Sequence, residues 1–247
     1  MDAADFYTGI VADLYESLKS TRQSAEPYAA FITQVGEPAL ELGCGDGEPL
    51  LELRRRGFDV DGVDSSADML TRCREKAEVA GVTVTLHHQR MEAMALDRRY
   101  RSIFLAGPTI TLLPDDETVL LALRAIGSHL LDGGLALIPL FIPSPSSWQP
   151  GRTREVVAEE GTTLRVTALS EDRDEDARTQ VTLLRYEKIT DGTSVAVDRP
   201  WTLHWHTRAG FDALVTAAGL TTREIRYPEG AEPDGATELT FVIGRSA

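Results

Sequence analysis

The stretch Ala39-Leu40-Glu41-Leu42-Gly43-Cys44-Gly45-Asp46-Gly47 joins a short apolar segment to a turn that contains three glycines. A short apolar run that is followed closely by glycines is typical of a buried strand that ends in a turn. Glycine has no Cβ and tolerates positive φ, so the main-chain N–H groups of such a turn can approach a ligand closely. We therefore expect a ligand site where this strand turns into the following helix.

A second acidic residue stands at the end of the next predicted strand. Residues 58–63 have the pattern of a strand, and Asp64 follows them about 20 positions after Gly43. A carboxylate at this place can accept hydrogen bonds from both ribose hydroxyls of a nucleoside. Together, the two motifs predict a cofactor that contains adenosine.

The spacing of the glycines distinguishes two classes of cofactor. Dinucleotide-binding proteins have Gly-x-Gly-x-x-Gly, whereas this turn has Gly-x-Gly-x-Gly and is preceded by Glu41. In this respect the chain resembles the class I methyltransferases that use S-adenosylmethionine, whose first motif is commonly an acid, any residue, and then Gly-x-Gly-x-Gly. The sulfonium and ammonium groups of that cofactor suit a nearby carboxylate, whereas a pyrophosphate would be repelled by it.

The resemblance implies which residues lie at the cofactor. In the family, the residues after the second strand lie along ribose and base, the fourth strand end faces the sulfonium, and tyrosines before the first motif close over the methionine end. Arg90 stands where family members often have Asp, so the Met91 amide and Glu92 are expected to contact the adenine. The cofactor residues implied in this way are Tyr7, Tyr15, Glu41, Gly43, Cys44, Gly45, Asp64, Ser65, Met69, Met91, Glu92, Leu105 and Ala106.

The N-terminal segment predicts an amphipathic helix over residues 6–19, because apolar residues recur there at every fourth position. Such a helix either packs on the core and does nothing more or, as the resemblance implies, carries Tyr7 and Tyr15 over the cofactor. We assign residues 1–37 to an N-terminal helical cap.

Predicted strands and helices alternate over residues 38–142, which indicates right-handed crossovers and a parallel sheet. Near the C-terminus, the predicted strands at 222–227 and 237–243 are joined by a loop too short for a crossover, so they must be antiparallel. The predicted fold is α/β. As the resemblance implies, we expect a Rossmann-like, mostly parallel sheet of seven strands with an antiparallel last strand, in a single methyltransferase domain over residues 1–247.

Residues 143–206 interrupt this alternation and predict an inserted β element. A turn-rich link at 143–150 comes first, and alternating apolar and polar residues follow it. The predicted strands are 164–169, 178–189 and 195–204.

The connections within the insertion predict an antiparallel meander. We take the acidic run at 171–176 as one connection and the Asp191-Gly192 turn as the other. In the family, small β elements at this place cover the acceptor pocket, and in some members they help to form a homodimer. The alternative is a surface sheet with no role in the reaction.

His204 and His206 are the candidate catalytic residues. They are two positions apart and therefore lie on one face of a predicted strand, where the insertion meets the last helix. An oxygen or protonated nitrogen acceptor must lose a proton, and histidine is the commonest general base. The alternative is that both are ordinary polar residues at a strand end. The sequence offers them no obvious third ligand, so no metal site is expected.

The composition limits the partners of the chain. Lys plus Arg number 25 against 39 Asp plus Glu, and the net charge of −14 argues against a nucleic-acid substrate, which needs a basic face. Two cysteines form no disulfide framework and suit a reducing cytoplasm. No apolar run is long enough to span a membrane, and the N-terminus is acidic where a signal peptide would be basic. We expect a cytoplasmic protein.

The sequence as a whole predicts an S-adenosylmethionine-dependent methyltransferase. Its acceptor is expected to be an oxygen or nitrogen of a small molecule, as in the natural-product enzymes of similar size and plan. Two alternatives stay open. Asp64 is also compatible with an NAD(P)-dependent oxidoreductase, and a protein that binds the cofactor without catalysis would have a pocket blocked by the insertion.

Overall fold

The structure, a computed structural model, describes residues 6–18, 23–144, 150–157, 161–232 and 235–246. Outside these residues lie Lys19 at the end of the predicted N-terminal helix, residues 1–5 of the predicted cap, and 145–149 of the predicted link.

The helices and strands are numbered separately in chain order. The helices are α1 (Ile10–Leu18), α2 (Glu26–Val35), α3 (Leu50–Arg55), α4 (Ala67–Ala80), α5 (Asp116–His129) and α6 (Arg208–Ala217). The strands are β1 (Ala39–Leu42), β2 (Val60–Asp64), β3 (Leu86–His88), β4 (Tyr100–Leu105), β5 (Leu130–Phe141), β6 (Thr153–Val157), β7 (Thr163–Asp174), β8 (Thr179–Thr190), β9 (Thr193–His204), β10 (Leu220–Arg226) and β11 (Glu238–Arg245).

The main sheet has seven strands in the order β10-β11-β5-β4-β1-β2-β3. The pairs among β1 to β5 are parallel, and β11 is antiparallel to both β5 and β10. The predicted fold, a mostly parallel sheet with an antiparallel last strand, is confirmed. The chain leaves β1 toward β2 and β3 on one side and returns to β4 on the other, and open sheets bind ligands at such a reversal of strand order.

Helices cover both faces of the main sheet, because its central strands are apolar on both sides. In β4, Ile103 belongs to the cluster of buried side chains under α5 and α6. The next residue, Phe104, belongs to the cluster under α2, α3 and α4. The carboxyl ends of the strands therefore meet at an edge of the sheet between these two helical layers.

The inserted sheet is a separate antiparallel sheet in the order β6-β7-β8-β9, which confirms the predicted meander. Asp191 and Gly192 form its last turn, with φ of 50° and 77°. Two successive positive φ angles are those of a two-residue hairpin turn whose twist matches the strands.

Two details of the insertion differ from the sequence prediction. The acidic run does not form a connection, because β7 continues to Asp174 and the turn lies at residues 175–178. This end of the hairpin extends beyond the buried part of the sheet, so its charged side chains are compatible with a strand. The edge strand β6 was also missed, since its five residues alternate only weakly between half-buried and exposed.

A third cluster of buried side chains joins the inserted sheet to the N-terminal helix. Phe6, Val11 and Leu14 pack against residues of β7 and β8, among them Val166 and Leu184. The inserted sheet therefore buries one face against α1.

Candidate active site

A cavity of about 570 Å³ lies at the carboxyl ends of β1, β2 and β4. Its described lining residues all come from positions 7–118, and no described residue of the inserted sheet is among them. Many of the predicted cofactor residues line it, and they form two groups. The glycine turn and the end of β2 contribute Gly43, Cys44, Gly45, Asp64, Ser65 and Met69.

The second group surrounds the first from three other parts of the chain. Tyr7 and Tyr15 come from the N-terminal segment, Met91 and Glu92 follow β3, and Ala106 follows β4. Residues that are about 100 positions apart in the chain thus lie around one cavity.

Two of the predicted cofactor residues lie behind the cavity rather than on its wall. Leu105 is fully buried in the core under α5 and α6. Glu41 is also fully buried, and neither of its carboxylate oxygens makes a hydrogen bond of standard geometry with a described residue. Burial raises the pKa of Glu41 well above its usual value, and the nearby carboxylate of Asp64 raises it further.

The sequence analysis missed the wall that follows β4. Thr109, Leu112, Leu113, Pro114 and Thr118 line the cavity from a short 3-10 turn and the start of α5. A loop at the carboxyl end of a central strand is where open sheets hold ligands, so the position of this loop was the available signal.

The glycine turn needs residues without Cβ. Gly43 has φ of +70°, and a Cβ there would lie 2.8 Å from Thr109 Cγ2. Gly45 has φ of +52° and faces Met69 Cε at 3.4 Å. Both the backbone conformation and the close neighbours therefore explain the glycines of the motif.

Asp64 holds the glycine turn against the end of β2. Its Oδ2 accepts a hydrogen bond from the Gly45 N–H, and its Oδ1 accepts one from the Ser66 N–H, both at 2.8 Å. Burial raises the pKa of Asp64, although these two N–H donors act in the opposite direction. Ser66 then caps α4, since its Oγ accepts from the Met69 N–H at 3.2 Å.

The N-terminal segment is attached to the start of α4. Ser66 Oγ donates to the Tyr7 carbonyl at 2.5 Å, and the Gly9 N–H donates to Asp68 Oδ2 at 2.7 Å. The rings of Tyr7 and Tyr15 meet edge to face with centroids 5.4 Å apart. Burial raises the pKa of Tyr7 to about 12, so its hydroxyl is neutral at physiological pH.

Ion pairs attach α1 along the rest of α4. Lys76 Nζ lies 2.7 Å from a carboxylate oxygen of Glu16 and 2.7 Å from one of Asp46, which is in the glycine turn. Arg72 forms a second pair with Asp13. The helix that carries Tyr15 is thus connected both to α4 and to the cofactor motif.

His204 and His206 lie outside the cavity wall, where β9 ends beside the first turn of α5. Asp116 Oδ1 is 3.6 Å from His204 Nε2 and 3.3 Å from His206 Nδ1. Burial lowers the pKa of His204 and, together with His204 and Arg178, lowers the pKa of His206 to about 4. Both imidazoles are therefore neutral at pH 7. The sequence analysis gave no signal that Asp116 would meet the two histidines.

Residues 39–134 match a family model described as a methyltransferase domain. This segment holds β1 to β4 with the glycine turn and Asp64, which are the parts of the sheet that form the cavity. The chain is an S-adenosylmethionine-dependent methyltransferase.

Known relatives match this methyltransferase over most of its length. It is 26% identical to a dTDP-3-amino-3,6-dideoxy-alpha-D-glucopyranose N,N-dimethyltransferase of Streptomyces fradiae, over 87% of this chain and 85% of the relative. A dTDP-3-amino-3,4,6-trideoxy-alpha-D-glucopyranose N,N-dimethyltransferase of Streptomyces venezuelae is also 26% identical, over 79% and 78%.

A solved structure has the same fold. The CcbJ methyltransferase from Streptomyces caelestis superposes with a TM-score of 0.79 at 22% identity, over 100% of both chains. The inserted sheet is therefore within the part of the fold that the two proteins share.

The cavity of the methyltransferase fits S-adenosylmethionine better than a dinucleotide. Asp46, Glu48, Asp64 and Glu92 all line it, against the single cationic lining residue Arg90 among those described. An acidic wall suits a cofactor with a sulfonium and an ammonium group and disfavours a pyrophosphate. The acidic wall therefore disfavours the oxidoreductase alternative.

Within the described residues, none of the helices combines the length and the apolar character that a membrane crossing requires.

Proposed function

We propose that this methyltransferase methylates a nitrogen or oxygen atom of a small-molecule acceptor in natural-product biosynthesis. The observation that carries the proposal is the match, over most of both chains, to two enzymes named as N,N-dimethyltransferases of dTDP-amino sugars. An amino sugar nucleotide is therefore the first acceptor class to test, with nitrogen as the methylated atom.

The proposed roles of the cofactor residues follow the geometry of the cavity. The turn at Gly43 and Gly45 would hold the methionine part through backbone groups, and Asp64 would accept from the ribose hydroxyls. Ser65 and Met69 would lie along the ribose and base. The Met91 amide and Glu92 would contact the adenine.

The methionine end is proposed to lie under the N-terminal segment. Tyr7 and Tyr15 would cover it, with Cys44 and Ala106 on the opposite wall. Glu41 would act through its negative charge from behind the turn, and Leu105 would support the wall as a packed side chain. In this proposal neither Glu41 nor Leu105 touches the cofactor, because both side chains are fully buried.

Positioning is the main contribution that the chain makes to methyl transfer. S-adenosylmethionine supplies a methyl group already activated by the sulfonium, so the protein must align the acceptor atom and keep water out. Alignment of this kind is worth roughly 7–11 kcal/mol of the barrier in well-oriented reactions. In our proposal α1 excludes water, and the inserted sheet acts as a lid by supporting α1 through its buried face.

The general-base role of His204 and His206 stays a prediction. Neither lines the cavity, although Pro114 and Thr118 on either side of Asp116 do. Replacing each histidine by Gln would lower turnover at saturating cofactor, without weakening cofactor binding, if it accepts the proton of the acceptor. Turnover unchanged from the parent in both variants would remove them from the mechanism.

A cytoplasmic location and a homodimer also stay proposals, as does the absence of nucleic-acid and membrane partners. The net charge of −14 supports the absence of a nucleic-acid partner, because phosphate binding needs a basic face.

The acceptor can be identified by formation of S-adenosylhomocysteine. The purified chain would be incubated with S-adenosylmethionine and matched acceptors, a dTDP-amino sugar and the same nucleotide with hydroxyl in place of the amine. We expect product only with the amine. Product from neither, in a preparation that binds S-adenosylhomocysteine by calorimetry, would contradict the amino sugar proposal while leaving the cofactor site intact.

A further inference from the structure

Three side chains with metal-binding atoms meet where the inserted sheet ends. Asp116 Oδ1, His204 Nε2 and His206 Nδ1 all lie within 4.8 Å of one another. Asp116 is in the first turn of α5, whereas the two histidines are at the end of β9 and just after it. The group is therefore formed by tertiary contact between segments almost 90 positions apart.

The distances in this group suit tetrahedral coordination. Zn²⁺ binds histidine nitrogen at about 2.0–2.1 Å and carboxylate oxygen at about 2.0–2.2 Å, so neighbouring ligand atoms of a tetrahedral site stand about 3.3–3.5 Å apart. Asp116 Oδ1 is 3.3 Å from His206 Nδ1 and 3.6 Å from His204 Nε2. The two histidine nitrogens lie within 4.8 Å of each other, so a bound ion would draw the rings together toward the tetrahedral spacing.

Polar atoms of the group lack partners. Asp116 Oδ1, which faces both histidines, is buried without a hydrogen bond of standard geometry to a described residue. His204 Nδ1 and His206 Nε2, the ring nitrogens that would not bind the ion, also lack one among the described residues. His206 is fully buried and His204 is 3% exposed. Buried polar atoms are nearly always satisfied in native proteins, so the unpaired Asp116 Oδ1 between the two rings points to a missing ligand.

We propose that Asp116, His204 and His206 bind a divalent transition-metal ion of the Zn²⁺ type. Imidazole ligands favour such an ion over Mg²⁺, which prefers oxygen. Three protein ligands leave the fourth position to water or to another ligand. The Asp116 side chain as a whole is 47% exposed, although its Oδ1 is buried.

Arg178 sets the orientation of the carboxylate. Its Nη2 donates to Asp116 Oδ2 at 2.6 Å, which leaves Oδ1 facing the histidines. Partners of this kind orient metal ligands in many proteins. Its Nη1 lies 3.3 Å from His206 Nδ1 and 3.4 Å from the Trp205 carbonyl, so it must turn fully to that carbonyl when the ion binds.

The ion would fasten the inserted sheet to the catalytic half of the protein. It joins β9 to the first turn of α5, whose neighbours Pro114 and Thr118 line the cavity. A nitrogen that ligates a metal cannot accept a proton, so this inference and the general-base prediction exclude each other for the ligating atoms. The inference does not depend on the identity of the acceptor.

Metal binding can be measured without cofactor or substrate. The full chain, stripped with a chelator and dialysed, would be titrated with Zn²⁺ by calorimetry and with Co²⁺ by visible absorption. We expect one equivalent to bind, with intense Co²⁺ bands typical of tetrahedral coordination, and no comparable binding of Mg²⁺. We also expect the bound ion to raise the melting temperature.

Matched variants locate the site. Asp116→Asn and His204→Gln are each expected to lower Zn²⁺ affinity at least about tenfold, since each removes one of three ligands. Glu117→Gln removes the same charge one residue away, and His88→Ala removes an exposed histidine on the edge strand β3. Neither control should change the affinity.

Two results would overturn the inference. One is the absence of stoichiometric Zn²⁺ binding by a preparation that binds S-adenosylhomocysteine. The other is binding that Asp116→Asn and His204→Gln leave unchanged, or that the controls weaken equally. Circular dichroism and S-adenosylhomocysteine binding by each variant verify that it is folded. They also separate a failure of this inference from a failure of the proposed function.

Discussion

The main sheet and the inserted sheet both end beside the active site, but their ends are built differently. At the end of β1, one continuous stretch supplies the turn, its backbone conformation and part of the cavity wall. At the end of β9, the side chains of His204 and His206 find their partner in Asp116, which lies on another helix. The first end depends on local backbone requirements, whereas the second depends on packing between distant segments.

The largest effect is expected from Gly43→Val, which breaks the main-sheet end. The new side chain would meet Thr109 and occupy a left-handed conformation that costs about 1–2 kcal/mol. This strain alone corresponds to roughly 5–30-fold weaker binding, since each 1.4 kcal/mol is tenfold. The clash with Thr109 adds to it, so we expect binding of S-adenosylhomocysteine to weaken at least about 100-fold in calorimetry. Gly57→Val is the control, because Gly57 also has positive φ but nothing lies within 4 Å of its Cβ position. Equal effects of the two variants would show that the turn is not a ligand site.

Leu14→Ala tests whether packing between α1 and the inserted sheet stabilises the protein. Leu14 is 1% exposed between α1 and the inserted sheet, and truncation of such a side chain costs about 2–5 kcal/mol of unfolding free energy. Urea unfolding followed by circular dichroism measures the loss. Leu121→Ala, at a position 44% exposed, should cost less than about 0.5 kcal/mol. Similar losses would mean that α1 does not hold the inserted sheet.

Asp64→Asn sharpens the assignment of the ribose site. The two oxygens of Asp64 accept hydrogen bonds from the N–H groups of Gly45 and Ser66. In the Asn variant the side-chain NH2 replaces one oxygen and faces one of these N–H groups, so one hydrogen bond is lost. A hydrogen bond to a charged group is worth about 1.5–3 kcal/mol, which predicts roughly 10–100-fold weaker binding of S-adenosylhomocysteine. The exposed Asp97→Asn should bind normally. Normal binding by Asp64→Asn would refute its role.

Glu41→Gln separates stability from binding at the start of the motif. Because burial raises the pKa of Glu41, ionisation destabilises the fold increasingly as pH rises above the unfolded value of about 4.3. Without cofactor, the variant should therefore have a higher melting temperature than the parent at pH 8, by about 2–4 °C for each kcal/mol of destabilisation that is relieved. Near pH 4 the variant and the parent should have the same melting temperature. Scanning calorimetry across this range is the measurement, and a gain that does not vary with pH contradicts the explanation.

Glu41→Gln should also weaken S-adenosylhomocysteine binding if the buried charge acts on the cofactor. The matched control is Glu117→Gln, an exposed acid outside the described cavity wall. Unchanged binding in both variants would restrict Glu41 to a structural role.

The smallest effect is expected at the surface contacts between α1 and α4. Lys76→Met removes pairs to Glu16 and to the buried Asp46, whereas Arg72→Met removes only the exposed pair to Asp13. Exposed ion pairs contribute about 0.2–1 kcal/mol, so the KM for S-adenosylmethionine should rise up to about fivefold in Lys76→Met and less in Arg72→Met. High salt should reduce the difference. A larger rise in KM in Arg72→Met than in Lys76→Met would contradict this prediction.

The sequence was most informative where structure follows from consecutive residues. The glycine turn, the position of Asp64 and the Asp191-Gly192 hairpin were all predicted from short stretches, because φ and Cβ requirements restrict residue choice at each position. The acidic run was interpreted incorrectly as a connection for a related reason. Charged residues are compatible with a turn and also with a solvated strand, so composition alone could not distinguish the two.

By itself, the sequence determined the parallel arrangement of the cofactor half, the cofactor class and the meander, because each follows from local pattern and from the short list of allowed connections. Only the tertiary structure decided that Glu41 lies behind the cavity, that α1 stands between the cavity and the inserted sheet, and that Asp116 meets the two histidines. Those contacts result from the packing of segments far apart in the chain, and no single stretch of residues encodes them.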